Sequence, residues 1–325
     1  MKLISIIVPA GGALSNIEFP RQVFTEINDH LASQGKAPIF KIQFVGTAKS
    51  IQLNDGLFTI QTHFTIKEAK KSDLIIIPAV HGDMSESVKN NLELIEWMKD
   101  QYNKGAELAS LCVGAFLLAA TGLLNGKKCV THWKAANKFR SMYPDVNLVV
   151  DKIITDEAGI YSSSGGISFL NLIVYLVEKY AGKDTAIYCA KFFQVDADRH
   201  TQSVFSIFQG QKDHNDEPVK QAQNYIENNF QQKITVDQLA GMLAVGKRSL
   251  ERRFKKATAN TLNEYTQRVK IEAAKKHLEM SSKKINDIMY EVGYSDTKTF
   301  RTSFKMVTGL LPKEYRSKYN RVHQM

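Results

Sequence analysis

The sequence predicts a parallel, doubly wound α/β sheet followed by an all-α domain. Three observations carry this. Over the first two hundred residues, short β-rich runs alternate with stretches whose apolar residues recur at the 3.6-residue spacing of helices, a pattern that builds parallel sheets covered by helices. The run DLIIIPA is almost wholly apolar, as a strand buried on both faces must be. After Pro218 the β-signals fade and one amphipathic helix follows another.

In chain order, residues 3–8 read as the first strand, ended by Pro9. They lack the long apolar core and small-residue cleavage site of a secretory signal, so they are read as structure and not as a leader. Further strands are expected at 40–45, 73–78, 106–111, 129–131 and 159–162. Helices are expected at 19–33, 86–102, 113–120, 133–142 and 167–180, with another near 184–193. Residues 196–216 contain DADRHTQ and GQKDHNDE, are polar and weakly periodic, and are expected to link domains at 1–195 and 217–325.

The net charge of +10 is unevenly placed. Residues 217–325 hold 21 Lys and Arg against 11 Asp and Glu, a surplus equal to that of the whole chain. A basic module joined to a neutral one is the electrostatic footprint of nucleic-acid binding. No run reaches the eighteen or more apolar residues of a membrane span, so a soluble, cytoplasmic, nucleoid-associated protein without a membrane partner is expected. Cys112, Cys129 and Cys189 are too scattered for a disulfide framework or a zinc knuckle, and no metal site is expected. Neither G-x-G-x-x-G nor a P-loop is present, and no cofactor is expected.

Two segments about fifty residues apart repeat one design: a short helix, a tight turn, and a second helix with a basic outer face. In TVDQLAGMLAVGKRSLERRFKKAT, Thr235 is a good N-cap, Leu239, Ala240 and Leu243 line one side, Gly246 lies in the turn, and Leu250 and Phe254 continue the buried stripe. Arg248, Arg252, Lys255 and Lys256 then face outward, with Ser249 near the helix start. In KINDIMYEVGYSDTKTFRTSFKMVTG, Ile285, Ile288 and Val292 pack inward, residues 293–296 turn the chain, and Phe300, Phe304 and Val307 form the next stripe. Thr297, Lys298, Arg301, Thr302 and Lys305 are the matching outward set. The helix expected between the two units, residues 262–280, spans roughly 25 to 30 Å, enough to set two recognition helices in successive major grooves about 34 Å apart.

Residues 292–316 read V-G-Y-S-D-x-x-x-F-x-x-x-F-K-x-x-x-G-x-x-P-x-x-Y-R, which resembles the signature of AraC/XylS-type regulators. The resemblance extends upstream through Leu239, Ala240, Leu250, Arg252, Phe254 and Lys255. It implies double-stranded DNA as partner, with phosphate contacts that weaken with salt and base preference carried near the starts of the recognition helices.

In the neutral domain the informative stretch is AELASLCVGAFLLAATGLLNGKKCVTHW, residues 106–133. A strand ending at Leu111, then Cys112, Gly114 and an apolar helix, form the elbow that exposes a nucleophile at the carboxyl end of a strand. A thiol near a helix N-terminus is expected to favour thiolate. The run C-x-G-A-F-L-L-A-x-x-G-L-L-x-G followed by T-H-W resembles the ThiJ/PfpI, class I glutamine amidotransferase-like superfamily, in particular the subgroup fused to AraC-type tails. That implies a flavodoxin-like sandwich and a homodimer. Enzymes of the superfamily pair the elbow cysteine with an acidic residue four positions before a proline; counting back from Pro20 finds Asn16, with Glu18 two residues off register. Residue 113 is Val where the protease-like branch has histidine.

The expected function is therefore a DNA-binding regulator, not an enzyme, whose α/β domain binds an unknown small-molecule effector or dimerises. Cys112, Val113, Asn16, His81 and His132 are the candidate pocket. The alternative is a hydratase or amidohydrolase using Cys112, His132 and Glu18, fused to a DNA-binding domain.

Overall fold

The computed structural model describes residues 1–196 and 200–320. The chain divides into two compact units, Met1–Gln202 and Ser203–Met325. The first begins with β1 (Lys2–Ile7), α1 (Leu14–Ser33), β2 (Phe40–Gly46), a hairpin of β3 (Ser50–Leu53) and β4 (Phe58–Gln61), β5 (Phe64–Thr65) and β6 (Leu74–Ile77). It continues through α2 (Met84–Lys89), α3 (Leu92–Asn103), β7 (Glu107–Ser110), α4 (Ala115–Ala120), β8 (Lys128–Cys129), α5 (Ala136–Met142) and β9 (Asn147–Leu148). The antiparallel pair β10 (Ile154–Glu157) and β11 (Ile160–Ser163), α6 (Phe169–Ala181) and α7 (Lys183–Phe192) complete it.

The main sheet has the order β10-β11-β7-β6-β1-β2-β5 and is parallel except at the β10–β11 edge. Alternate side chains serve opposite faces. Ile4, Ile6, Leu74, Ile76 and Ala109 join a core with Phe24, Ile27, Leu172 and Leu176, whereas Ile7, Ile75, Ile77 and Leu108 meet Leu94, Met98, Phe116 and Phe139. From β1 the chain goes to β2 on one side and returns to β6 on the other, so a topological switch point lies between β1 and β6. Ligand crevices of open α/β sheets form at that point, outside the carboxyl ends of the strands.

Several elements differ from expectation for identifiable reasons. The strand expected at 129–131 is only β8, paired with β9 in a separate two-stranded ladder. The helix expected at 86–102 breaks at Asn91, whose side chain accepts from Ala10 N (2.8 Å) and donates to Ser87 O (2.7 Å) and Ala10 O (3.1 Å), tying the break to the loop after β1. Helix α1 starts five residues before the expected 19, with Pro20 inside it. β3, β4, β5 and β10 carry too little apolar alternation to be read: β4 is largely exposed and β5 has two residues.

The second unit contains α8 (Glu217–Asn229), α9 (Val236–Met242), α10 (Lys247–Thr258), α11 (Leu262–Met280), α12 (Ile285–Glu291), α13 (Thr297–Thr308) and α14 (Pro312–Tyr319). It has two small cores. Val219, Ile226, Leu239, Leu250, Phe254 and Tyr265 form one; Ile271, Leu278, Ile288, Phe300, Phe304 and Tyr315 form the other, and α11 supplies both. From the second helix of each core onward the two repeat at an offset of fifty, Leu250, Phe254 and Tyr265 matching Phe300, Phe304 and Tyr315. The Thr258 and Thr308 hydroxyls donate to Phe254 O and Phe304 O, each at 2.8 Å, and the Tyr265 and Tyr315 hydroxyls donate to Glu227 and Glu279, each at 2.6 Å. The turn before each second helix passes through a left-handed residue, Ala244 (φ 52°) or Gly293 (φ 77°). A Cβ at Gly293 would lie 2.1 Å from Gln231 O, so only glycine fits there.

The stretch expected to link the domains is anchored at several points, although Phe205, Ile207 and most of residues 209–216 are exposed or half-buried; residues 197–199 lie outside the described residues. Gln202 belongs to the first unit, its amide donating to Thr131 O at 3.0 Å. Val204 is buried in the core of α12 and α13, and Phe208 packs edge-on against Tyr265. Lys275, 3% exposed, donates to Ser206 O (2.6 Å) and pairs with Glu272 (2.8 Å), which accepts from Phe208 N (3.1 Å). Among the described residues no helix is long and apolar enough to cross a membrane.

Candidate functional site

The first candidate site lies at the carboxyl ends of the sheet. After β7 the chain turns through Cys112 at φ 56°, a conformation unfavourable to a residue bearing Cβ, and then through a short 3₁₀ turn into α4. Gly114 permits the turn: a Cβ there would lie 2.5 Å from both Ile77 O and Pro78 O. Around the cysteine, Thr131 Oγ1 donates to Cys112 O (3.0 Å), and Cys112 N donates to Ser163 Oγ (3.4 Å). Burial pushes the Cys112 thiol above its ordinary range, opposed by backbone hydrogen bonds from Val113 and Gly166. The expected thiolate is thus overturned, because desolvation outweighs the amide donors. Cys129 and Cys189 are core residues, each pushed up to about 12 by burial.

His132 joins this cluster. Its ring lies so close to Gly165 that a Cβ there would fall 1.7 Å from His132 Cδ2. Nδ1 accepts from Lys134 N (3.1 Å), which leaves the proton on Nε2. Burial first, and Lys134 second, hold its pKa below the ordinary imidazole value. Ser164 and Ser168, on either side of the glycine pair, are buried with hydroxyls that find no partner. Asn16 is 6% exposed in the first turn of α1, and its amide bonds to no described residue.

Glu18 is not delivered to the cysteine. Its carboxylate forks onto Arg21 at 2.8 and 2.5 Å and takes Gln22 at 3.2 Å; chiefly the Arg21 bond holds it below the ordinary carboxylate range. His81 is exposed, and its backbone binds Gly11 O and Ser87 Oγ. Val113 is half-buried. The motif reading missed Ser164, Gly165, Gly166 and Ser168, although the SSSGG run directly after a predicted strand was the signal for them. Among the described residues no three His, Cys, Asp or Glu side chains form a metal-binding group. The arrangement offers a thiol and an imidazole that burial shifts toward their neutral forms, an amide and hydroxyls, and among the described residues no carboxylate hydrogen-bonds to Cys112 or His132.

The second candidate site is the outer side of α10 and α13. Leu250 and Phe254, and Phe300 and Phe304, are fully buried, so the intervening positions face away. Arg248, Arg252, Lys255 and Lys256 are exposed and Ser249 half-buried; Thr297, Lys298, Arg301, Thr302 and Lys305 are all exposed. Lys255 pairs with Glu264 (3.3 Å), Lys247 with Asp237 (2.8 Å) and Arg253 with Asp216 (2.7 Å). Asp296 caps α13 by accepting from Thr299 N (2.7 Å), whereas α10 starts at Gly246 without a side-chain cap.

Residues 19–179 match the DJ-1/PfpI family, and residues 239–318 match a helix-turn-helix domain family. The chain is 23% identical over 235 residues to the HTH-type transcriptional regulator GbdR of Pseudomonas aeruginosa, an alignment spanning 69% of this chain and 61% of that protein. It is 40% identical over 92 residues to the bifunctional transcriptional activator/DNA repair enzyme AdaA of Bacillus subtilis, spanning 28% of this chain and 44% of that protein. The crystal structure of a putative transcriptional regulator from Vibrio parahaemolyticus has a similar fold, with a TM-score of 0.53 and 23% identity over 59% of this chain and 98% of that one.

Proposed function

We propose that this chain, which joins a DJ-1/PfpI domain to an AraC-type helix-turn-helix domain, is a transcription regulator that binds double-stranded DNA sequence-specifically through the helical unit. The observation that carries the reading is the duplicated second helix. In both copies a fully buried aromatic or aliphatic stripe turns Arg and Lys outward, from a frame rigid enough to hold them in register. Arg248, Ser249, Arg252, Lys255 and Lys256 contact one half-site, and Thr297, Lys298, Arg301, Thr302 and Lys305 the other. Lysines supply phosphate contacts, and side chains near the helix starts supply base readout.

The α/β unit binds a small effector beside Cys112, His132, Asn16 and the Ser164–Ser168 hydroxyls, with Val113 and His81 at the margin. The unpartnered buried hydroxyls of Ser164 and Ser168 there support an uncharged, hydrogen-bonding effector, because each orphaned group costs about 1–3 kcal/mol until it is met. The hydratase or amidohydrolase alternative lacks its carboxylate, since Asn16 holds that position and Glu18 is committed to Arg21. The protein acts as a homodimer in the cytoplasm, on the nucleoid.

The test is selection of duplexes from a random DNA pool at near-physiological salt, with the full chain and an Arg252→Ala, Arg301→Ala double variant. Enrichment of a two-part motif by the parent and its loss in the variant supports the reading; no enrichment, with or without added effector candidates, overturns it.

A further inference from the structure

The outward set of α10 contains one residue of the wrong sign for a surface that meets phosphates. Glu251 is exposed in the second turn of a helix that otherwise carries Lys247, Arg248, Arg252, Arg253, Lys255 and Lys256. Its natural partners are the lysines one turn away on the same helix. Both are committed elsewhere, Lys247 to Asp237 and Lys255 to Glu264, and Arg253 is held by Asp216. Glu251 forms no hydrogen bond or close ion pair with any described residue, and its charge is felt only at longer range by Lys247, after that lysine's bond to Asp237. The fifty-residue repeat gives it a counterpart: Leu250 matches Phe300 and Phe254 matches Phe304, so Glu251 occupies the register of Arg301.

Resting on the DNA-binding reading above, we infer that Glu251 is a specificity-determining residue that reads a cytosine in the major groove. A carboxylate only accepts hydrogen bonds. Of the four bases, cytosine offers its N4 amine in the major groove with no acceptor of its own; adenine sets its N6 amine beside the N7 lone pair, which repels a carboxylate, and guanine and thymine offer acceptors only. The surrounding Arg248 and Arg252 offset the repulsion between Glu251 and the phosphates, so the carboxylate gives up little elsewhere by approaching the base. Its counterpart Arg301 has the complementary chemistry, two parallel donors suited to guanine O6 and N7. One position in the repeated frame thus reads C in one half-site and G in the other.

The test is the same random-pool selection, run with the parent, Glu251→Gln and Glu251→Ala, and with Arg252→Ala and Arg301→Ala to assign the half-sites. The parent is expected to fix a C in the half-site that Arg252→Ala degrades. Glu251→Gln should move that one position toward A, whose N6 and N7 match an amide, and Glu251→Ala should leave it degenerate, other positions being unchanged. On duplexes of the parent motif, replacing that C should weaken the parent roughly ten-fold or more and Glu251→Ala hardly at all. If both variants return the parent motif and merely bind every duplex more tightly, Glu251 only tempers the charge of the helix and the inference is overturned. If the parent enriches no motif, the DNA-binding reading itself has failed, and the inference with it.

Discussion

Replacing Lys275 by Met removes a charged donor buried between α11 and the segment that enters the helical unit. Lys275 is 3% exposed, and Nζ serves both Ser206 O and the Glu272 carboxylate. The substitution keeps the length of the apolar stem, so the loss is electrostatic. Ser206 O loses its charged donor, and Glu272, whose side chain is 14% exposed, keeps only Phe208 N. Breaking a buried pair from one side costs about 3–5 kcal/mol, and the residual exposure of Glu272 places this case near the lower end, at about 3 kcal/mol. With a urea dependence of about 1–2 kcal/mol/M, the unfolding midpoint of the helical unit should fall by roughly 2 M. The assay has a built-in control. Both tryptophans, Trp97 and Trp133, lie in the first unit, so their fluorescence reports its unfolding while far-UV circular dichroism reports helices in both. The expected result is a lower midpoint for the helical component of the dichroism and an unchanged fluorescence transition. A Lys275→Met, Glu272→Gln double variant should recover most of the loss. A shift below about 0.5 M, or equal movement of both signals, would refute the assignment of this ion pair to the stability of the helical unit.

Gly165→Ala drives a Cβ into the His132 ring, and is expected to expel that ring and lower the thermal stability of the first unit, read from tryptophan fluorescence; an unchanged melting curve would contradict the packing of His132 on Gly165. Cys112 should alkylate slowly at neutral pH and accelerate only as the pH rises beyond the usual thiol range, with Cys129 and Cys189 inert in the folded chain; rapid labelling of Cys112 at pH 7, located by peptide mass analysis, would count against the burial that raises it. The Asp216 carboxyl is held below its ordinary value mainly by the Arg253 hydrogen bond, so its contribution is fully present above the unfolded carboxyl value of about 3.9 and is lost as the pH falls through the depressed folded value. Asp216→Asn should therefore destabilise the helical unit at pH 6, and the gap from the parent should close below pH 4 in acid titrations followed by circular dichroism.

The parts of the fold legible in the sequence are those where burial is complete and periodic. β6 is buried along its whole length, and the fully buried Leu250, Phe254, Phe300 and Phe304 are spaced one turn apart within their helices, so apolar pattern alone located them. What escaped is carried by single polar contacts and edges. Nothing in the spacing around Asn91 shows that its amide ties off two helices, because its partner Ala10 is 81 residues away. The stretch after Gln202 reads as a linker because its anchors, Val204 and Phe208, stand alone among polar neighbours, and because Lys275 and Glu272 look like a solvated i,i+3 pair until the strap covers them. At the candidate pocket, the elbow cysteine and the amide at position 16 were legible from motif spacing. The protonation of the thiol was not, since it depends on how far β11 and the Ser164–Ser168 loop bury it.

The repeated helical frame also separates what the two halves share from what they do not. Their threonine hydrogen bonds recur at an offset of fifty, and a tyrosine–glutamate pair recurs in each, which fixes where α10 and α13 can present side chains. The presented chemistry then diverges. α10 carries six basic residues and begins at Gly246 with no side-chain cap, leaving its first amides open to a phosphate oxygen. α13 carries three basic residues, and Asp296 occupies its first amides with a carboxylate that repels phosphate. Counterion release follows the number of phosphates neutralised, so the salt dependence of DNA binding should reside mainly in the α10 half. On the proposed DNA-binding reading, the α13 half, with Thr297, Lys298, Arg301 and Thr302 exposed beside a phosphate-averse cap, is expected to derive more of its hold from base edges than from the backbone.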